Sequence, residues 1–270
     1  MDGNNGGERL MNIHKTSIVH PDAKINKNVE IGPFCIIDKN VEIGEGSYLY
    51  PNVHVMENTT IGKNNIIHQG AIIGGLPQDL KFEGENTKTV IGDNNVIREY
   101  VTINRGTHES GETVVGDNNL LMAYVHVAHD CILDNNIILA NGVQLAGHVE
   151  VGYHATLGGI TGVHQFCKIG EHAFVGACRV VLQDVPPYIL ATGEPLQYSG
   201  INSVGLRRRG FSKVVRNSIK NTYKIIYLSN NNTSQAISIV KRKVIENFID
   251  NSKEVKSILD FINNSERGII

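Results

Sequence analysis

Four histidines in the middle of the chain are the residues whose types most directly suggest chemistry. They are His126, His129, His148 and His164. A neutral imidazole ionises near neutral pH, so it can take a proton as a general base. Three imidazoles can also bind Zn²⁺. The residue types therefore leave proton transfer and metal binding open, and a solvated row of polar side chains is the alternative without chemistry.

A six-residue period runs through most of the chain and must position these histidines. Between Val19 and Val181, 25 of the 28 residues spaced six apart are Ile, Leu or Val. The three exceptions are Asp79, Glu85 and Glu109. This period fits neither a helix nor a simple alternating strand. It predicts short strands joined by tight turns, each strand burying one aliphatic side chain.

Two further positions of the repeat indicate tight packing and tight corners. The residue four after the aliphatic is often small, and three of the four cysteines occupy this slot: Cys35, Cys131 and Cys167. We expect these cysteines to fill volume. Glycine often follows the aliphatic directly, and Asn pairs recur at 64–65, 94–95, 118–119 and 135–136. Because Gly and Asn tolerate positive φ, we expect both to form the corners.

Two segments lose the repeat and regain it in phase, at residues 74–90 and 104–114. They are predicted to be loops that leave an otherwise uninterrupted scaffold. Such loops often carry function, although a tolerated surface insertion is the alternative.

The repeat is predicted to end at Pro186-Pro187, and the rest of the chain has helical spacing. The pattern predicts a helix over Ser212–Tyr227 and a further helix capped by Ser234. We therefore divide the chain into a flexible or tag-like segment at 1–10, a repeat domain at 11–190, and a linker with a helical domain at 191–270.

Composition excludes several classes of protein. The net charge of −2 and the pI near 6.6 exclude a broadly basic nucleic-acid-binding protein. No apolar run is long enough for a transmembrane helix, and the first residues lack the features of a signal peptide. The four cysteines form no CxxC pair. We expect a cytoplasmic protein with reduced thiols and no stable membrane insertion.

The motifs resemble those of the UDP-N-acetylglucosamine O-acyltransferases, a branch of the hexapeptide-repeat acyltransferases. The similar stretches are HVAHDCIL at 126–133, LAGHVEVG at 145–152, TGVHQFCKIG at 161–170, QDVPPY at 183–188 and GLRRRGFS at 205–212. The resemblance implies an all-β, left-handed parallel β-helix of about nine coils with a small α-helical C-terminal domain. Three hexads form each coil, so the four histidines should line one edge.

The resemblance also implies a reaction. Members of this family are homotrimers that move an R-3-hydroxyacyl chain from acyl carrier protein to the glucosamine 3-hydroxyl of UDP-N-acetylglucosamine, the first step of lipid A synthesis. Carried over by motif, His129 is the general base, Asp130 orients its imidazole, and the N–H of Gly147 stabilises the oxyanion. The resemblance implies direct transfer in the bacterial cytoplasm, with no covalent acyl-enzyme and with no metal or other cofactor.

The remaining site residues are implied by the same motifs. His126, His148, His164 and Gln165 would line the sugar and phosphate region, and Asp79 and Lys81 would reach the substrate from a neighbouring subunit. Asn202, Arg208 and Arg209 would bind the nucleotide end, and Ala177 would limit acyl length at the floor of the groove. Val204 stands where the family often has an acidic residue. The basic residues from Arg207 onward are compatible with docking of the acidic acyl carrier protein or with an ordinary solvated helix face.

Three other readings remain open at this point. They are a zinc hydrolase or carbonic anhydrase on the same scaffold, a non-catalytic binding β-helix, and another sugar acyltransferase, including an N-acyltransferase. The residues also leave open whether the acceptor carries a 3-hydroxyl or a 3-amino group.

Overall fold

The computed structural model describes residues 12–229, 232–250 and 252–270. The predicted flexible segment at 1–10 lies outside them. The fold is the expected left-handed parallel β-helix followed by α-helices. The chain divides into two compact units, Met1–Asn136 and Ile137–Ile270.

The first unit contains eighteen short strands in three parallel sheets. Sheet order is β1-β4-β7-β10-β13-β16, β2-β5-β8-β11-β14-β17 and β3-β6-β9-β12-β15-β18, so every third strand pairs. The strands are β1 Asn12–Ile13, β2 Ile18–Val19, β3 Lys24–Ile25, β4 Glu30–Ile31, β5 Ile36–Ile37, β6 Glu42–Ile43, β7 Tyr48–Leu49, β8 His54–Val55, β9 Thr59–Ile61, β10 Ile66–Ile67, β11 Ile72–Gly75, β12 Lys88–Ile91, β13 Val96–Ile97, β14 Thr102–Asn104, β15 Glu112–Val115, β16 Leu120–Leu121, β17 His126–Val127 and β18 Ile132–Leu133.

The second unit continues the same pattern and then changes character. Its sheet orders are β19-β22-β25-β27-β28, β20-β23-β26 and β21-β24. The strands are β19 Ile138–Leu139, β20 Gln144–Leu145, β21 Glu150–Val151, β22 Thr156–Leu157, β23 Gly162–Val163, β24 Lys168–Ile169, β25 Phe174–Val175, β26 Val180–Val181, β27 Ile189–Thr192 and β28 Gln197–Ile201. The helices are α1 Ser203–Arg208, α2 Lys213–Leu228, α3 Thr233–Ile245 and α4 Lys253–Asn263.

The aliphatic positions of the repeat form the core, as predicted. From Ile31 to Val181 these side chains are at most 3% exposed. In-register pairing places each one on its equivalent in the next coil, for example Ile67 on Ile97. Removing such stacked side chains from water is the main source of stability. The three cysteines of the small slot, Cys35, Cys131 and Cys167, are buried, so their predicted packing role is confirmed.

The corners are built differently from the expectation. Every left-handed residue from Asn28 to Cys178 lies three positions after an aliphatic position, with the exception of Gly74 and of Gly84 and Gly111 in the loops. Of the glycines that directly follow an aliphatic, only Gly74 has positive φ. The others are required by close approach of the next coil. A Cβ on Gly158, for example, would lie 2.4 Å from the backbone N of Ala177.

The Asn pairs also divide into two roles. The first Asn of the pairs at 64–65, 94–95 and 118–119 is the left-handed corner. The second is buried and joins successive coils: Asn95 N donates to Asn65 Oδ1 at 2.9 Å, and Asn119 N donates to Asn95 Oδ1 at 2.8 Å. Only half of each of these pairs therefore serves the turn.

Parallel pairing continues for one strand beyond Pro186-Pro187, where the repeat is predicted to end. β27 follows Pro186-Pro187, pairs in parallel with β25, and pairs antiparallel with β28. The proline pair thus interrupts the repeat without ending the sheet. Residue 212 caps α2 as the spacing suggests, but Asn232, and not Ser234, caps α3 through a capping box with Gln235. Within the described ranges, no helix combines the length and the apolarity that a bilayer crossing requires.

We expect the close approach of the next coil at Gly158 to have a measurable effect on stability. Gly158→Ala should lower the free energy of unfolding by about 1–3 kcal/mol, because its methyl group meets backbone that cannot yield cheaply. Gly162→Ala is the matched control, since a Cβ there meets nothing within 4 Å. Urea unfolding of the two variants checks this, and equal midpoints would contradict it.

Candidate active site

His129 and Asp130 form a closely held polar pair in the first unit. They occupy the turn between β17 and β18, where Asp130 is a left-handed corner with φ of 60°. His129 Nδ1 lies 2.7 Å from Asp130 Oδ2, and the two side chains are 15% and 0% exposed. The turn thus presents the imidazole at the surface and holds the carboxylate below it.

The Asp130 carboxylate accepts several further hydrogen bonds from the second inserted segment. Thr107 N donates to Oδ1 at 2.9 Å, Thr107 Oγ1 donates to Oδ2 at 2.8 Å, and Ser110 Oγ donates to Oδ1. Burial by itself raises the pKa of Asp130, but the hydrogen bonds from His129, Ser110 and Thr107 outweigh burial and hold that pKa well below its usual range. Asp130 is therefore ionised at neutral pH.

An ionised Asp130 fixes which nitrogen of His129 carries the proton. A carboxylate can only accept hydrogen bonds, so the 2.7 Å contact requires a hydrogen on Nδ1. In the neutral ring the basic lone pair then lies on Nε2. A buried carboxylate behind an imidazole serves a general base, and it equally serves a metal-bound imidazole. This geometry alone does not choose between the two chemistries.

His126 lies near this pair in the same unit. Its Nδ1 is 2.8 Å from Thr102 Oγ1 on the neighbouring strand β14. Burial, and then the nearby His129, lower the pKa of His126. His126 is therefore a neutral imidazole at neutral pH, with its orientation held by the threonine hydroxyl.

Gly147 and His148 occupy a corner of the second unit, between β20 and β21. Gly147 is buried, and its carbonyl accepts from Phe166 N at 3.1 Å. His148 has φ of 61° and stacks on Phe166 with ring centroids 4.4 Å apart. The predicted roles of Gly147 and His148 stay predictions.

His164 meets a residue that the sequence did not suggest. His164 and Gln165 are exposed, and Arg267 Nη2 lies 2.8 Å from His164 Nδ1. Nδ1 also lies 3.1 Å from the carbonyl oxygen of Gln165, so this nitrogen faces both a hydrogen-bond donor and an acceptor. The backbone explains the encounter: residues 268–270 pair with Asp184 through Asp184 N to Gly268 O and Ile270 N to Asp184 O.

Two of the three predicted nucleotide-binding residues, Asn202 and Arg209, contact a buried histidine, His172. Asn202 Oδ1 accepts from Gly205 N and caps α1, while its Nδ2 donates to the carbonyl of His172 at 3.0 Å. Arg209 Nη1 lies 3.3 Å from His172 Nδ1, and Arg208 is exposed in the last turn of α1. His172 escaped the sequence analysis, although its 18-residue spacing from His154 is the signal that reveals it.

The other predicted residues lie at the surface. Asp79 is half-buried and Lys81 is exposed in the first inserted loop, where Asp79 Oδ1 accepts from Lys81 N at 3.0 Å. Ala177 is exposed beside β25, and Val204 is 51% exposed in α1. The predicted roles of Asp79, Lys81 and Ala177 in contacting substrate stay predictions.

Comparison with known proteins decides the family. A family model described as "Udp N-acetylglucosamine O-acyltransferase; Domain 2" matches residues 184–270, the hexapeptide-repeat transferase model matches 112–147, and the GMPPB C-terminal domain model matches 13–108. The acyl-[acyl-carrier-protein]–UDP-N-acetylglucosamine O-acyltransferase of Thiobacillus denitrificans is 44% identical over 97% of this chain and 100% of its own length. The chain belongs to this O-acyltransferase family.

Solved structures of the family have the same fold as this chain. LpxA of Bacteroides fragilis, a UDP-N-acetylglucosamine acyltransferase, has a TM-score of 0.93 and 47% identity over 96% of this chain and 99% of its own. LpxA of Acinetobacter baumannii has a TM-score of 0.91 and 43% identity over the same shares. The chain is thus an acyltransferase enzyme of this family, which confirms the expectation from the motifs.

The buried His172 predicts a pH-dependent stability. Burial, then Arg209, His154 and Lys253, lower the pKa of His172 from 6.5 to about 3. Between these values the unfolded chain binds a proton that the folded chain does not, so stability falls as the pH drops below about 6.5. From pH 7 to pH 5 the wild type should lose about 1–2 kcal/mol more unfolding free energy than His172→Asn. Urea unfolding at both pH values measures this; parallel losses in the two proteins would contradict it.

Proposed function

We propose that this chain transfers an R-3-hydroxyacyl group from acyl carrier protein to the glucosamine 3-hydroxyl of UDP-N-acetylglucosamine, with His129 as the general base. The enzyme class and the two substrates follow from family membership. The single observation that supports the base is the 2.7 Å contact from His129 Nδ1 to a buried, ionised Asp130.

The proposed reaction is one acyl transfer with balanced proton movement. His129 Nε2 takes the proton of the 3-hydroxyl while the hydroxyl oxygen attacks the thioester carbonyl carbon. The N–H of Gly147 stabilises the developing oxyanion. The C–S bond then breaks, and the carrier thiolate takes the proton back from the His129 imidazolium. Asp130 stabilises that imidazolium and remains ionised throughout.

The substrate contacts follow the motif assignments. His126, His148, His164 and Gln165 bind the sugar and phosphates, and Asn202, Arg208 and Arg209 bind the nucleotide. In the proposed homotrimer, Asp79 and Lys81 reach the site of a neighbouring subunit. The neutral, oriented His126 and the half-buried Arg209 support such roles, since both are polar groups held in one position.

The donor side of the proposal rests on charge. Lys213, Lys220 and Lys224 are exposed along α2, after the exposed Arg207 and Arg208 at the end of α1. An acidic carrier protein is attracted to such a face. Because the donor is an acyl carrier protein thioester, the proposal places the reaction in the bacterial cytoplasm.

His129→Ala tests the proposed base. We expect kcat to fall by about 10²–10⁴-fold, because no other group then takes the hydroxyl proton. His20→Ala is the matched control, since His20 is an exposed histidine of an early coil and should leave kcat unchanged. Transfer from a 3-hydroxyacyl carrier protein is measured for both; substantial activity in His129→Ala would overturn the base assignment.

Ala177→Gly tests the proposed control of acyl length. Removing the exposed methyl group should lengthen the groove and raise kcat/KM for longer donors, by up to about tenfold for one or two added methylenes. Donors of several lengths are compared in wild type and variant. An unchanged length preference would remove Ala177 from the proposal.

A further inference from the structure

The segment between β14 and β15 is built around Asp130. From its sequence, this segment is compatible with a functional loop or with a tolerated surface insertion. In the structure, residues 105–107 are buried, and Gly111 N donates to the carbonyl of Thr107 at 2.8 Å to close the turn. The exposed part is confined to residues 108–110. A tolerated surface insertion would be expected to lie in solvent, whereas residues 105–107 are buried.

Thr107 is the central contact of this loop. Its backbone N–H donates to one oxygen of Asp130 and its hydroxyl to the other, at 2.9 and 2.8 Å. The hydroxyl also accepts from Glu109 N at 3.3 Å, which leaves its single hydrogen for the carboxylate. Thr107 therefore binds both carboxylate oxygens of Asp130 and fixes the orientation of the carboxylate plane.

The hydroxyl of Ser110, in the same segment, and that of Thr113, in β15, complete the arrangement. Ser110 Oγ lies within hydrogen-bond distance of both Asp130 Oδ1 and the carbonyl oxygen of Glu112, and the charged carboxylate is the stronger acceptor for its single hydrogen. Thr113 Oγ1 accepts from Asp130 N at 2.8 Å. The corner backbone and the carboxylate are thus both held by residues 107–113. The loop thus positions Asp130 Oδ2, the oxygen that His129 Nδ1 contacts. These hydrogen bonds go to Asp130 and not to the imidazole.

We propose that Thr107 and Ser110 are positioning residues of the acyl transfer, which act by fixing the Asp130 carboxylate that orients His129. The inference rests on the proposed role of His129 as base. Hydrogen bonds to a charged group are worth more than neutral ones, and their geometry controls a partner only 2.7 Å away. Misplacement of a reacting group by a fraction of an ångström reduces the rate of reaction more than the binding of substrate.

Thr107→Val removes the hydroxyl and keeps the shape and the backbone N–H. We expect kcat to fall about tenfold, the loss of one charge-assisted hydrogen bond, with KM for the sugar nucleotide within about twofold. Thr107→Ser restores the hydroxyl and should restore kcat. Ser110→Ala changes an exposed position, so it should fold normally and lower kcat with the same pattern.

The matched control is Thr59→Val. Thr59 is a buried threonine of the same unit whose hydroxyl has no hydrogen-bond partner among the described residues, so kcat should not change. In an Asp130→Asn background, Thr107→Val should cost little further activity, because both changes act through one carboxylate.

The outcomes separate this inference from the proposed base. If His129→Ala is inactive while Thr107→Val and Ser110→Ala keep wild-type kcat, the positioning role is wrong and the base stands. A Thr107→Val loss that is fully additive with Asp130→Asn, or that Thr107→Ser does not rescue, also overturns it. An active His129→Ala would instead remove the base on which the inference rests.

Discussion

Successive coils of the β-helix must fit together sterically, and this requirement governs both the core and the corners. Strands in neighbouring coils lie about 4.8 Å apart, so each coil must offer the next one a matching surface. The buried aliphatic at every sixth position provides it, and glycines such as Gly158 leave room where backbones meet. The corners are forced into one left-handed position per hexad. The His129–Asp130 pair lies at one of these corners, and Thr107 and Ser110, which bind the Asp130 carboxylate, lie in a loop.

Asp130 shows what a corner offers to an active site. Its backbone is fixed by the coil, and its buried carboxylate would be costly to ionise without partners. Donors from residues 107–110 and from His129 offset this cost and hold the charge. A rigid coil therefore supplies the position, and a loop supplies the electrostatics. The exposed side chain of the pair is the one that can meet a substrate.

The sequence predicted those features that repeat and missed those that occur once. The core follows from the period of six, and Cys131 could be placed from its phase alone. Gly158 was misread because close approach and positive φ leave the same residue type in a sequence. Thr107 and Arg267 were missed since no period relates them to Asp130 and His164. The parallel strand beyond Pro186-Pro187 has no signal in the sequence, because the pairing of β27 with β25 depends on tertiary contact.

The proposed chemistry requires that an ionised Asp130 keep the Nδ1–H form of neutral His129 and leave the basic lone pair on Nε2. The most direct test is ¹⁵N NMR of the histidine ring nitrogens in labelled enzyme, with the His129 signals assigned by their loss in His129→Ala. We expect a protonated Nδ1 and an unprotonated Nε2 in the neutral His129 ring. In Asp130→Asn, the preference for the hydrogen on Nδ1 should be lost. A neutral ring that carries its hydrogen on Nε2 in the wild type would contradict it.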